Sequence, residues 1–579
     1  MQKHARPDGM NNADRKLSGK LRANIEVEMA TRTLNVRLLR KGGAMESAFG
    51  VSFVPGSARA LRAFDWKGAE GARAYIGQIY SNPPTWQKFI AEGVIGALNE
   101  DITTGGAGAV IFVPVGERVL AICFGQVHLA LDDDAFERGF GLKVTLNAVP
   151  RSNLRTLDLA TPDAVTFQKR VQASKDSDLS EFGVDMLRDL ARVAGGTPRD
   201  LSFSKFVAGK DSLSITCEVD ANTIYAKCAE ILDFYKKKTY KSEFPWVDNL
   251  RVVEERDLVL RLDAKLEGGL KALRKGRPEE LHMSPPEVVD YTEGGELHYN
   301  GFGSHGKTFH SLSIEDYVSE LNRCGFDKTI ADIKEGHRVR AKRAGQDEFT
   351  EKWKVYDCFV YEANIASGVH NGTYVLFSGR WYKVEAKFKD RVESFFESIP
   401  KVEIVGKTSC VNERELIDDI DANRPDLLKL DQAKINPDGV RYANLEPCDF
   451  FSDKKQFIHL KDGHSSGPIS HLWAQGVVSA EAFVSDPEFR SKLRSEVSNR
   501  KRVFAGYLPK KTESLNRGDF TVVYGIMRKP YVDGSLGLPF FSKVSLQAAV
   551  ERIRQFGLPV AIELIEKPSS DEDEPEAEC

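Results

Sequence analysis

Between Leu445 and Phe483 the chain reads LEPCDFFSDKKQFIHLKDGHSSGPISHLWAQGVVSAEAF, which gathers Asp449, His459, Lys461, Ser465, Ser466, His471 and Gln475 into one short span. Each side-chain type brings its own chemistry. A lysine offers a compact positive charge, a histidine can titrate near neutral pH, and hydroxyl and amide groups can hold an anion by hydrogen bonds. Taken singly, each residue also has an ordinary structural role. His459 could be a half-buried strand histidine, Lys461 a solvated strand end, His471 a first-turn helix residue and Gln475 a surface position. Taken together they point to a site, because burying so many polar groups in one place without partners is costly.

The elements that would position them follow from pattern. Two strands are expected, at about Glu446 to Phe451 and Gln456 to Lys461, joined by the polar turn Ser452 to Lys455. On the second strand, alternation places Phe457, His459 and Lys461 on one face and Ile458 and Leu460 on the other. A glycine and serine loop, Gly463 to Gly467, leads to a helix expected over Ser470 to Val484, with Ser470 as its cap. His471 and Gln475, four apart, share a face of that helix. Strand end, loop and helix start adjoin, so the polar residues can converge. Around them lie an expected helix at Asn412 to Ile420 carrying Glu413 and Glu415, and short strands at Leu427 to Asp431 and Val440 to Asn444. Beyond them come a strand at Thr521 to Met527, a helix at Ser542 to Phe556 and a last strand at Leu558 to Ile565.

An acid at one strand end, then polar-x-Lys on the next strand, then a helix resembles the PD-(D/E)XK nuclease core. The resemblance implies that Asp449 is the first ligand of a Mg²⁺ or Mn²⁺ ion, with Glu446 or one of Glu413 and Glu415 nearby. It implies that His459 stands where the family has Glu or Asp, as ligand or general base, and that Lys461 is the family's lysine. His471 and Gln475 would complete the catalytic group, and Ser465 and Ser466 would bind phosphate. An imidazole in place of a carboxylate is a departure, since it is softer and brings no charge to a hard cation. The implied reaction is metal-assisted hydrolysis of a phosphodiester in DNA or RNA. From a different class comes a non-catalytic recognition module, in which Lys461, Ser465, Ser466 and His471 form an anion nest.

The runs Phe457 to Lys461, Ser465-Ser466, Ser470-His471-Leu472, Gln475-Gly476 and Leu538-Pro-Phe-Phe-Ser542 also resemble a family of sporadically distributed bacterial proteins without an agreed activity. Its members are often found near mobile or restriction-type genes. That resemblance implies a bacterial, defence-related setting, with room for a co-encoded partner or a homo-oligomer.

Composition bounds the rest. With 579 residues, 41% of them hydrophobic and 29% charged, an α+β chain of about three or four domains is expected. No apolar run is long enough to span a bilayer, and no secretory signal is visible near Met1. The eight cysteines include no C-x-x-C pair, which fits a reducing cytoplasm. Formal net charge is −4, but the tail from Asp571 to Cys579 carries six acids, leaving the remainder at +2. Any nucleic-acid contact must therefore come from local patches.

The expected organisation is a disordered arm over 1–28, an α+β domain over 29–245, a middle α+β domain over 246–400, a C-terminal α/β domain over 401–568 and an acidic tail over 569–579. The C-terminal domain is expected to be a nuclease-like mixed sheet flanked by helices. In the first domain, Phe140 to Val149 reads as a strand, and Trp86 and Phe89 as core residues. The middle domain contains a literal phosphate-loop string, Gly301 to Thr308, whose lysine could serve an ATP-dependent switch. Its context is poor, because the preceding run is short and polar and the next helix is expected only from Ser313. Further on, Arg338, Arg340 and Lys342 would share one strand face and suit phosphate contacts. Lys354 to Tyr361 reads as a strand, and Trp353, Trp381 and Tyr382 could stack on bases or pack in a core.

Overall fold

In a computed structural model, the structure describes residues 30–568 apart from 84–86, 94–102, 163–165, 187, 278, 290–295, 303–306, 326–327, 343–348, 437–444, 464–465 and 531–533. The expected arm, the acidic tail, Trp86 and the expected strand at Val440 to Asn444 lie outside the described residues. The chain is mixed α/β, and its described residues form four sheets. Among the described residues no helix is long and apolar enough to cross a membrane.

The first sheet has ten antiparallel strands, running in sequence from Thr31–Leu38 to Leu213–Glu218. The strand expected at Phe140 to Val149 is instead a helix, Phe140–Ala148, packed against this sheet. Its buried positions include Phe140, Gly141, Val144, Thr145 and Ala148, a helical repeat. A short, largely apolar run such as this one does not separate a buried helix from a buried strand.

Two antiparallel sheets follow. One has five strands, among them Phe359–Ile365, Gly372–Phe377 and Arg380–Val384. The other has four, in the order Thr308–Phe309, Glu296–Asn300, Arg338–Lys342 and Thr350–Lys354. The single strand expected at Lys354 to Tyr361 is broken by a helical turn, Val355–Cys358, where the chain crosses from one sheet to the other. Tyr356 on that turn donates to Asp263 at 2.7 Å, and Trp381 donates to the same carboxylate at 3.0 Å. Trp353, Trp381 and Tyr382 are buried, so they are packing residues and not a base-stacking platform.

The last sheet positions the site. Its elements are α1 (Glu413–Asn423), β1 (Leu427–Lys429), β2 (Phe450–Ser452), β3 (Gln456–Asp462), α2 (Ser466–Ser485), α3 (Pro487–Arg500), β4 (Thr521–Arg528), α4 (Phe540–Gln555) and β5 (Val560–Glu566). β1, β2 and β3 form an antiparallel meander, in which Leu428 faces Phe451 and Phe450 faces Ile458. β4 lies parallel to β3 and β5 parallel to β4. A parallel neighbour requires a long crossover, and helices supply it. α2 and α4 cover the face bearing Phe451, Phe457 and Val522, whereas α1 covers the face bearing Phe450, Ile458 and Leu460. α2 lies close because Gly476 has no side chain: a Cβ there would meet the Tyr524 hydroxyl oxygen at 2.2 Å.

The middle and C-terminal regions are joined by buried groups. Glu362 accepts from the backbone N–H of Phe540 at 2.9 Å and of Phe541 at 3.3 Å, so a middle-domain carboxylate caps α4. Burial raises its pKa to about 7.

Candidate functional site: a carboxylate group beside Lys461

Asp449 sits immediately before β2 and is held from both sides. Its N–H donates to the Ile458 carbonyl at 3.0 Å, and its own carbonyl accepts from Leu430 at 2.7 Å and Asp431 at 3.0 Å. One carboxylate oxygen accepts from the Leu460 N–H at 2.6 Å. Glu446 reaches the turn after β1 and accepts from the Gln432 N–H. Gln432 has φ 62, a left-handed conformation unusual for a residue with a side chain, and it re-aims the chain directly after Asp431. The result is that Asp431, Glu446 and Asp449 each place an oxygen within 4.8 Å of the other two.

The electrostatics follow from that crowding. Burial pushes the Asp449 carboxyl up to about 7, the Leu460 N–H opposes the rise, and the charges of Glu446, Glu413 and Asp431 add to it. Glu446 is raised as well, first by burial and then by Asp431, while Lys461 pulls it down. Like charges held together disfavour ionisation. Lys461 is the adjoining cation, and its Nζ donates to Glu413 at 2.9 Å. The other oxygen of Glu413 accepts from the Asp462 N–H at 3.2 Å, so α1 and the end of β3 are tied together. Glu415 is spent on the cap of α1, where it bonds Asn412 and the Val411 N–H. Lys567 donates to both oxygens of Asp462, at 2.6 and 2.8 Å, and Arg528 donates to the Gly463 carbonyl at 2.6 Å. These bonds fix the segment that follows Lys461.

His459 does not join the carboxylates. It is 2% exposed beneath α2, with Nε2 at 3.3 Å from the Ser479 hydroxyl, and burial lowers its pKa to about 4. Its alternation with Lys461 holds, but it sits one step deeper along β3, where the helix covers the sheet. His471, Gln475 and Ser479 succeed one another at four-residue spacing on α2, with His471 exposed and Gln475 half-buried. Among the described residues, neither His471 nor Gln475 bonds the carboxylates. Ser465 lies outside the described residues, and Ser466 is the first residue of α2, four positions earlier than the expected start. Asp431 was not among the expected ligands. It was legible only as the end of a short apolar run, and the turn that aims it forms through contacts with Glu446 and Asp449.

Elsewhere, Arg338, Arg340 and Lys342 do share the half-exposed face of their strand, opposite buried Val339 and Ala341. Arg338 is paired with Glu351 at 3.1 Å. At the phosphate-loop string, residues 303–306 lie outside the described ones, but the flanks are decisive. Glu296–Asn300 and Thr308–Phe309 are antiparallel neighbours, and the next helix starts at Ile314 under a Ser313 cap. A phosphate loop needs its lysine and threonine at a helix start, whereas here Thr308 is a strand residue.

The C-terminal region is thus a mixed α/β sheet flanked by helices that carries a partly buried carboxylate group with one adjoining lysine. Residues 34–566 match a family described as a family of unknown function (DUF6119), and the chain belongs to that family. No curated protein and no solved structure matches it.

Proposed function

We propose that the C-terminal region is a divalent-metal-dependent nuclease of the PD-(D/E)XK kind, hydrolysing phosphodiesters in DNA or RNA. The observation that carries this reading is the convergence of Asp431, Glu446 and Asp449 beside Lys461 at the edge of a helix, three-strand meander, helix, parallel-strand arrangement. That order of elements is the one the resembling core requires. The donor set suits a hard cation, being all carboxylate oxygen. Oxygens on opposite sides of a bound Mg²⁺ lie about 4.2 Å apart, and somewhat further for larger cations, and the three oxygens here all lie within 4.8 Å of one another.

Mg²⁺ or Mn²⁺ at this group would polarise the phosphate and lower the pKa of an attacking water. The chain's own residues supply the remainder. Asp449, raised to about 7, gives up its proton when a cation is held, which couples affinity to pH. Lys461, oriented by Glu413, places a positive charge where negative charge develops on the phosphate. His459, buried and neutral, supports α2 through Ser479 and leaves the ligand role to Asp431. The anion-nest reading is less well supported, because Lys461 is already paired with Glu413 and carboxylates dominate the surroundings. The setting proposed with the nuclease reading is bacterial and cytoplasmic, within a defence system.

The test uses the purified full-length protein with radiolabelled single- and double-stranded DNA and RNA, in Mg²⁺, Mn²⁺ or EDTA. Cleavage is expected in a divalent metal and not in EDTA, and is lost in Lys461→Ala. Full cleavage by Lys461→Ala, or none by the wild-type protein on any substrate, would overturn the proposal.

A further inference from the structure

Two helices that reach the segment carrying Asp431 carry opposite charge. α1 bears Glu413, Glu415, Asp418, Asp419 and Asp421 against a single base, Arg414. α3 and the two residues after it bear Arg490, Lys492, Arg494, Arg500, Lys501 and Arg502 against Glu488 and Glu496. The six bases divide by position. Arg490 and Arg494 turn inward, where Arg490 holds the Phe483 and Val484 carbonyls at 2.7 and 3.0 Å and Arg494 holds those of Ala505 and Leu508. Lys492, Arg500, Lys501 and Arg502 are exposed.

Three of these outer cations reach the segment that carries Asp431. Lys492 donates to the Asn436 carbonyl at 2.9 Å, Arg500 to the Lys429 carbonyl at 2.9 Å, and Lys501 to the Pro425 carbonyl at 2.8 Å. A backbone carbonyl fixes a cation in place but carries only a partial charge, so it leaves the positive charge uncompensated. Arg500 also pairs with Glu496 at 2.8 Å, whereas Lys492, Lys501 and Arg502 have no ion pair among the described residues. Attraction to the C-terminal end of their own helix does not account for the arrangement. Lys492 lies far from that end, and Arg500 and Lys501 bond carbonyls of another segment.

We infer that the exposed bases of α3 and of the two residues after it are a docking track for the sugar-phosphate backbone of a nucleic-acid strand, which they deliver to the carboxylate group. The inference rests on the proposed nuclease reading and deepens it by assigning the binding surface. Repeated phosphates match the exposed cations Lys492, Lys501 and Arg502, the first two of them held in place by carbonyls, and the acidic α1 repels the same strand. Binding of this kind is read from its salt dependence, because each phosphate contact releases condensed counterions.

The experiment is fluorescence anisotropy on the full-length protein in EDTA, with labelled single-stranded DNA, single-stranded RNA and duplex DNA, from 50 to 200 mM salt. For the best-bound strand, Lys492→Gln/Lys501→Gln/Arg502→Gln should raise Kd about tenfold or more at the lowest salt. It should also flatten the log–log salt slope by about 2 for a single strand, at roughly 0.7 per lost contact. Arg338→Gln/Arg340→Gln/Lys342→Gln, which removes the same charge from the middle domain, should change Kd less than about twofold. If the triple α3 variant melts early, Lys501→Gln/Arg502→Gln alone should still flatten the slope by about 1.4. An unchanged slope in a folded α3 variant, a larger loss in the middle-domain variant, no binding by the wild-type protein, or equal binding of poly-glutamate would each overturn the inference. Binding in EDTA does not need the metal group. A protein that binds through α3 but cleaves nothing therefore refutes the nuclease reading alone, and one that cleaves with α3 neutralised and affinity intact refutes the track alone.

Discussion

Gly301 to Thr308 spells a phosphate-binding loop without a mismatch, while Asp449, His459 and Lys461 depart from their pattern at the middle position. The first string joins antiparallel strands, with its threonine in a ladder and the next helix six residues further on. The second lies where a meander meets a parallel strand, and three carboxylates and a lysine adjoin there. A phosphate loop works through consecutive backbone N–H groups at a helix start, so its letters are useless on another scaffold. A carboxylate group needs only oxygens brought to one point, and Asp431 can supply what His459 does not. The elements that carry a motif decide its chemistry more than its letters do.

The sharpest way to break this comparison is to remove both lysines separately. Lys461→Ala should lower cleavage by a factor of about 10² to 10³ or more, the scale of losing a group that stabilises transition-state charge, with nucleic-acid affinity nearly unchanged. Lys307→Ala should leave cleavage as it is. Tight ATP binding that disappears in Lys307→Ala would reverse the ranking of the two strings.

Next in size is the metal group. Asp431→Asn should weaken Mn²⁺ binding, read by titration calorimetry, by about tenfold or more, at least the loss seen when a residue that only supports a metal ligand is changed. His459→Gln should leave it within about twofold. The opposite pattern would return His459 to the ligand set.

A third test uses pH. The folded-state pKa of Asp449 is raised to about 7 from an ordinary value of about 3.9. Its contribution to stability is therefore fully present below about pH 4 and lost as pH rises through 7. Asp449→Asn should accordingly be more stable than wild type at pH 8, on the order of 1–3 kcal/mol, with the difference vanishing near pH 4. Mn²⁺ should raise the wild-type Tm more at pH 8 than at pH 6, because the cation competes with that proton. A metal-induced shift that is equal at both pH values would separate Asp449 from cation binding.

The smallest effect concerns His459, whose pKa is lowered to about 4. Here the sign is reversed: stability is present above about pH 6.5 and lost as pH falls through 4. His459→Gln should cost about 1–3 kcal/mol at pH 7 through the loss of its Ser479 partner and its packing, and it should flatten the acid limb of the denaturation curve. It should not move the pH profile of cleavage. A shifted profile would make His459 the general base.

Much of the frame was readable in one dimension. The hairpin from Phe450–Ser452 to Gln456–Asp462, the helix after it, and the later strand and helix all appear close to their expected places. Alternation and helical spacing report burial directly, and burial is what sets these elements. The helix at Phe140–Ala148 and the break at Val355–Cys358 were not readable, because neighbours elsewhere in the chain decided them.

For the site, the sequence by itself determined that Asp449 adjoins the strand next to that of Lys461 and that Lys461 lies near the end of its own strand. Local pairing and a short polar turn suffice for that. Only the tertiary structure decided that Asp431 belongs to the group, that Glu413 holds Lys461, and that His459 lies buried under Ser479. Those outcomes depend on where α1, α2 and the turn after β1 come to rest against the sheet. That docking is set by contacts between residues far apart in the chain, which no local pattern of charge or hydropathy encodes.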